Sequence, residues 1–219
     1  SNYTFVPAYN STPNTGTTNT ITLLPMGLTV TANAVTQTYN GTNFSGGSGV
    51  TYSGLLGADT AASLGGAVTY SGNSQGARHV GTYAITPGGL TSSNYTLNYV
   101  DGSLSITPKT INLSASKNYD GNANLSGSQV TLSTGVGSEV LGFSNATASD
   151  AHVATAGKYI NAITLADGTA GAGTTAGLAS DYQLPVLNAA NAPVTVTPRT
   201  VSLSASKTCV RLNNGCPRD

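Results

Sequence analysis

Charge is what this 219-residue sequence has least of: eight Lys+Arg stand against eight Asp+Glu, 7% of the chain, with formal net charge +0. An ordinary soluble domain carries roughly 25% charged residues, so the surface here must be built from Thr, Ser, Asn and Gly. Dispersed cations cannot neutralise a run of phosphates, which excludes nucleic acid and anionic lipid as expected partners. Trp is absent and Cys occurs twice, too few to staple a domain of this size. No apolar run approaches the roughly 20 residues of a membrane-spanning helix, so no direct membrane insertion is expected. Catalytic equipment is equally thin. Acidic residues are scattered singly, Glu139 is the only glutamate, and there is no close acid pair, Ser/His/Asp constellation or phosphate-binding glycine loop. No enzyme, catalytic residue, cofactor or metal is expected.

Core material is present nonetheless. The hydrophobic fraction is 38% with 11 Tyr, and Val, Ile, Leu and Thr alternate in short runs, the pattern of half-buried strands. Those runs repeat. Pro25, Pro108 and Pro198 each precede a similar alternation by three residues: Leu28-Thr29-Val30-Thr31-Ala32, Ile111-Asn112-Leu113-Ser114-Ala115 and Val201-Ser202-Leu203-Ser204-Ala205. The first two lead to Tyr39-Asn40-Gly41 and Tyr119-Asp120-Gly121, where glycine supplies the positive φ of a tight turn.

A second landmark closes each unit. Ser93-Asn94-Tyr95-Thr96 runs through Asn98-Tyr99-Val100, Asp101-Gly102 and Ser103-Leu104-Ser105-Ile106-Thr107 to Pro108, which reads as a hairpin about an Asp-Gly turn. Its counterpart starts at Ser180-Asp181-Tyr182, and Ser1-Asn2-Tyr3-Thr4 reproduces the same landmark. The expected organisation is therefore the end of a preceding repeat at 1–24, complete repeats at 25–108 and 109–198, and a stub at 199–219. The expected fold is mostly β, a stalk of tandem repeats with at most one short helix each. In the first repeat that helix is Thr60–Leu64, capped by Asp59 and stopped by Gly65-Gly66.

The string Gly54-Leu55-Leu56-Gly57-Ala58-Asp59-Thr60-Ala61-Ala62-Ser63-Leu64, with Val80-Gly81-Thr82-Tyr83, Asn94-Tyr95-Thr96 and Asp101-Gly102-Ser103-Leu104, resembles the MBG (mostly beta-grasp) repeat. Lys117-Asn118-Tyr119-Asp120-Gly121 and Ala156-Gly157-Lys158 resemble the related YDG repeat. The resemblance covers 28–198 and implies tandem beta-grasp-like units in a long secreted bacterial adhesin, including the filamentous-haemagglutinin-like adhesins exported by two-partner secretion. It also implies an extended cell-surface fibre. Tyr182-Gln183-Leu184-Pro185 departs from the family pattern, because proline cannot donate to a ladder.

Cys209 and Cys216 bound an eight-residue segment containing Asn213-Asn214-Gly215, turn residues able to bring the two Cα atoms within roughly 7 Å. Some adhesins of the resembled class end in a cysteine loop that holds the C-terminus at its outer-membrane two-partner-secretion transporter. By that resemblance Cys209 and Cys216 form an anchoring disulfide on the cell surface, near the outer membrane or periplasm. A passive loop disulfide and two free or metal-binding thiols are the other readings.

Tyr52, Tyr70 and Tyr99, on alternating strands, are the candidate contacts for carbohydrate, with exopolysaccharide as the alternative partner. Tyr39, Tyr95 and Tyr119 stand at repeat landmarks and read as structural. Asp101, Asp120 and Asp181 suit calcium chemically, yet fall at turn and capping positions that already explain them. Nothing in the sequence signals a homo-oligomer.

Overall fold

The computed structural model describes residues 4–5 and 23–206. Cys209, Cys216 and the opening landmark at 1–3 lie outside the described residues. The fold is mostly β, with three single-turn 3-10 helices among the described residues: Ala61–Ser63, Gly127–Gln129 and Ala179–Asp181. Two compact units are drawn by contacts. One comprises Ser1–Leu113, Leu132–Ser144 and Thr164–Pro185; the other comprises Ser114–Thr131, Asn145–Ile163 and Val186–Asp219.

In the first unit the repeat at 25–108 is organised by two bent strands lying side by side. The opening strand runs through Met26–Ala32 and Val35–Thr38, the closing one through Tyr95–Val100 and Gly102–Thr107. They pair in parallel with constant register, Met26 opposite Tyr95 before the bend and Val35 opposite Leu104 after it, 69 residues apart in both places. The bend divides the pair between two sheets. Before it, Met26–Ala32 lies between Val50–Ser53 and Tyr95–Val100; after it, Gly102–Thr107 lies between Val35–Thr38 and Gly81–Thr91, with Gly65–Ser71 at the far edge.

The hairpin expected across Asp101-Gly102 therefore does not form, because its two arms belong to different sheets. Gly102 does not take a positive φ. It is glycine for another reason: a Cβ there would lie 2.4 Å from the Ala32 carbonyl oxygen, so only a bare backbone passes the bend.

Alternation decides which residues the sheets bury. Leu28 and Val30 are fully buried with Tyr95, while Leu104, Ile106 and Ile85 fill the space beyond the bend. Each such burial is worth about 1.5–3 kcal/mol. The short helix forms one residue inside the expected span. Thr60 takes the extended N-cap conformation and its N–H donates to Ser63 Oγ at 3.2 Å, whereas Asp59 accepts the Tyr95 hydroxyl at 2.6 Å.

The second repeat starts the same way and then breaks register. Lys109–Thr110 pairs in parallel with Tyr182–Gln183, 73 residues on, and Ala115–Asn118 pairs with Val194–Thr197, 79 residues on. Six extra residues are accommodated in the irregular segment that follows Gln183, where Leu184-Pro185 ends the strand. In the second unit Asn124–Leu125 lies antiparallel to Ala146–Thr147, and Ala115, Val130, Ile160, Val194 and Val196 are buried. Lys117 is buried among them. Its ammonium meets Asp120 Oδ1 at 2.8 Å, the Asn124 carbonyl at 2.8 Å and the Asn122 carbonyl at 3.1 Å. The Lys-x-x-Asp spacing thus pins the turn to the strand.

Candidate functional site

The richest polar constellation is not any of the sequence candidates. It surrounds the single glutamate, inside the first unit, where residues of the first repeat meet residues of the second. Tyr39 directly follows the opening strand and donates its N–H to the Thr107 carbonyl at 2.8 Å. Arg78 and His79 precede the strand Gly81–Thr91, Glu139 opens the short strand Glu139–Val140, and Asp181 and Tyr182 stand at the end of the turn Ala179–Asp181.

Local structure aims each group. Thr134 Oγ1 donates to the Glu139 carbonyl at 2.8 Å, and Glu139 N–H donates to the Val136 carbonyl at 3.0 Å, closing the loop before the glutamate. Gly41 holds φ +76 beside that loop, and a Cβ there would lie 2.5 Å from Val136 Cγ1. The Asn-Gly turn therefore does what its sequence predicts and also leaves room for the second repeat.

Around the carboxylate, the Tyr39 hydroxyl donates to Oε1 at 2.9 Å and the Tyr182 hydroxyl to Oε2 at 2.6 Å, while Arg78 Nη2 pairs with Oε1. The Tyr39 and Tyr182 rings meet edge to face, centroids 5.3 Å apart. Alongside, fully buried Asp181 accepts the Val80 N–H at 2.9 Å and bonds His79 Nδ1 at 2.7 Å. The His79 ring stacks on Tyr39 at 6.3 Å.

The Glu139 side chain is 4% exposed. Burial works against its ionised form, but the hydrogen bonds from Tyr182, Tyr39 and Arg78 outweigh that cost and hold its pKa below the ordinary value. Burial, then the neighbouring carboxylate, push the Tyr182 phenol well up and raise that of Tyr39. The phenols thus remain donors and the glutamate remains an anion. The set contains no nucleophile beside a base, and no group of three or more His, Cys, Asp or Glu able to hold a metal occurs among the described residues. What it can do chemically is fasten: an ion pair, two charge-assisted hydrogen bonds and an aromatic pair join segments as distant in sequence as Tyr39 and Tyr182.

Of the sequence candidates, Tyr52 and Tyr99 come together. Both pair with Val30, one on either side, and both are half-buried against the core of Leu28, Val30 and Tyr95. The Tyr99 hydroxyl accepts the Leu90 N–H at 3.0 Å and donates to its carbonyl. Tyr70 lies apart from them on the strand Gly65–Ser71, its hydroxyl accepting the Gly49 N–H at 2.9 Å while its ring covers Gly47. Asp120 caps its own turn, accepting the Asn122 N–H at 3.2 Å as well as the Lys117 ammonium. Asp181 is more than a turn residue: it binds the preceding repeat.

The Glu139 cluster was missed by motif reading. A signal for it exists in the alignment of the repeats, where Val50-Thr51-Tyr52-Ser53-Gly54-Leu55-Leu56-Gly57-Ala58-Asp59 matches Val130-Thr131-Leu132-Ser133-Thr134-Gly135-Val136-Gly137-Ser138-Glu139. Asp59 and Glu139 thus hold one position, and each accepts a tyrosine hydroxyl at 2.6 Å, from Tyr95 and Tyr182 respectively.

Comparison with known proteins gives one family. Residues 28–105 match the family model of the MBG domain (YGX type), which supports an MBG repeat region and is consistent with an adhesin-type extracellular repeat. No curated protein and no solved structure matches the chain.

Proposed function

We propose that this chain is a load-bearing stalk segment of a large secreted bacterial adhesin. The observation that supports the reading is the parallel pairing of each repeat's first strand with its last. Met26 lies opposite the start of the closing strand and Thr38 opposite its end, at Thr107. Tension applied through the chain enters at one end of this ladder and leaves at the other, so the paired strands must slide past one another. All ladder hydrogen bonds then resist together, where an antiparallel hairpin pulled at its open end would lose them one at a time. The Glu139 cluster adds a polar fastening between one repeat and the next.

Within this reading Cys209 and Cys216 close a ring that is at least two strands wide, roughly 10 Å by the strand spacing. Such a ring holds the chain at a two-partner-secretion transporter in the outer membrane of a Gram-negative cell. The competing reading is an exopolysaccharide-binding module of a biofilm matrix protein, favoured by the adjacency of Tyr52 and Tyr99 about Val30.

Single-molecule pulling of the full chain tests the load-bearing reading. Pulled end to end, the first repeat is expected to yield at a markedly higher force than when held at Thr38 and Thr107, one end of the same ladder. Equal forces would sink the proposal. Intact mass with and without reductant tests the ring, through a difference of about 2 Da for two hydrogens. Cys209→Ser in the full-length adhesin is expected to release it to the medium. Glycan binding lost on Tyr52→Ala, with unchanged melting temperature, would favour the matrix-module reading.

A further inference from the structure

The fastening around Glu139 has an open counterpart in the second unit. Tyr39 and Tyr119 are equivalent residues: each directly follows its repeat's opening strand and donates its N–H to the last residue of the closing strand, Thr107 or Thr197, at 2.8 Å. Each is followed by a turn glycine at positive φ, Gly41 at +76 and Gly121 at +84. Each also has a histidine ring beside it at 6.3 Å, His79 for Tyr39 and His152 for Tyr119.

The two places differ in what covers them. At the first, Val136 crowds Gly41, Glu139 takes the Tyr39 hydroxyl and Asp181 takes His79. At the second, none of the described residues lies within 4 Å of a Cβ built on Gly121, His152 turns to Asp150 of its own loop, and its side chain is 72% exposed. Beside Tyr119 opens a cleft of about 480 Å³ lined by Asn118, Asp120, Ser128, Gln129 and Arg199. Arg199 follows the joint proline as Lys109 does in the first repeat. Lys109 places its Cε 3.5 Å from a Cβ built on Gly135, in the loop that leads to Glu139.

We propose that the Tyr119–His152 face is a socket for another repeat of the same kind, which inserts carboxylates equivalent to Glu139 and Asp181. Tyr119 supplies the phenol donor, His152 the imidazole, and Arg199 the cation that Arg78 contributes at the occupied site. The cleft is polar, its Lys117 is paired with Asp120, and Arg199 is the cation left in its lining to meet an incoming carboxylate. The inference names a partner surface and stands apart from the load-bearing reading: a repeat can resist shear whether or not its far end is capped.

The test is nitration and carbethoxylation of the chain, read residue by residue by peptide mass spectrometry. It is compared with a lengthened chain in which residues 110–199 are repeated after residue 199, so that Arg199 keeps its place beside Tyr119. In the chain as it is, Tyr119 and His152 are expected to react readily while Tyr39 does not. In the lengthened chain, Tyr119 and His152 are expected to slow at least tenfold, and Glu139→Gln in the added copy alone is expected to restore most of the Tyr119 rate. Unchanged rates overturn the proposal. So does equal protection by the glutamine variant, which would mean cover without use of the carboxylate. Protection of Tyr119 in the original chain by a neutral oligosaccharide, with none in the lengthened chain, would assign the cleft to glycan and also overturn it. A second variant needs no added repeat: Glu139→Gln in the original chain is expected to raise Tyr39 nitration about tenfold, and no change there overturns the equivalence on which the socket rests. Pulling forces on the first repeat are unaffected by any of these outcomes at Tyr119.

Discussion

The two repeats pair their first and last strands in the same sense but not with the same continuity. In the first, 69 residues separate partners on both sides of the bend; in the second the separation widens from 73 to 79. The unbroken register keeps the two strands of the 25–108 repeat in step, so that both change the parity of their inward residues together at the bend, from Leu28 and Val30 to Val35 and Gln37 on one and from Tyr95 to Leu104 and Ile106 on the other. The broken one leaves an irregular segment after Gln183. A second contrast is a single methylene. Asp59 and Glu139 hold the same place and both take a tyrosine hydroxyl, and Glu139 in addition meets Tyr39 and Arg78 of the preceding repeat.

Glu139→Ala is the strongest way to break that contrast. It leaves Arg78 and two buried phenols without their acceptor, and a loss of about 3–5 kcal/mol is expected in denaturant unfolding. Next is Gly102→Val, which drives a side chain into the Ala32 carbonyl and should cost about 1–3 kcal/mol. Loss of less than half a kcal/mol would show that the bend can relax. In the second unit Lys117→Met replaces a buried ammonium and frees the Asp120 turn; a loss of about 1–3 kcal/mol is expected. Faster amide exchange confined to residues 119–124 would localise it.

Proton linkage should sharpen the comparison further. The pKa values of Glu139, Asp120 and Asp150 are lowered in the folded state, that of Asp150 to about 2 by the His152 amide, the His152 ring and Thr155. An unfolded chain therefore binds protons first as pH falls, so stability is full above the ordinary carboxylate range and declines from roughly pH 4.5 toward 2. At the other extreme the raised phenols of Tyr39 and Tyr182 stay protonated where unfolded tyrosines ionise, so stability declines above about pH 10. Glu139→Gln should flatten part of the acid limb, and an unaltered acid limb would remove Glu139 from the account. The smallest effect is expected from Asp59→Asn, which keeps an oxygen acceptor for the Tyr95 hydroxyl; its loss in thermal unfolding should fall below that of Glu139→Ala, and an equal loss would show that the Asp59 charge itself carries the stabilisation.

Much of the fold was legible because its signals are local. The alternation at Leu28-Thr29-Val30 and Ile111-Asn112-Leu113 announced strands, and Asn40-Gly41 and Asp120-Gly121 announced turns with glycine at positive φ. Asp101-Gly102 misled for the same reason. The dipeptide carries the local signature of a hairpin, yet parallel pairing with a strand 69 residues earlier overrides it, and glycine serves close approach instead. Glu139 was visible as the only glutamate but not as a fastening, since its partners Tyr39, Arg78 and Tyr182 lie far away in sequence.

By itself the sequence determined that this is a low-charge, repetitive, mostly β chain punctuated by proline, because period-two burial and turn chemistry act over a few residues. Tertiary structure decided which strands run parallel, where the chain crosses between sheets, and that one carboxylate gathers two phenols and a guanidinium. Those outcomes depend on segments as distant in sequence as Tyr39 and Tyr182, and no local preference encodes a meeting at that range.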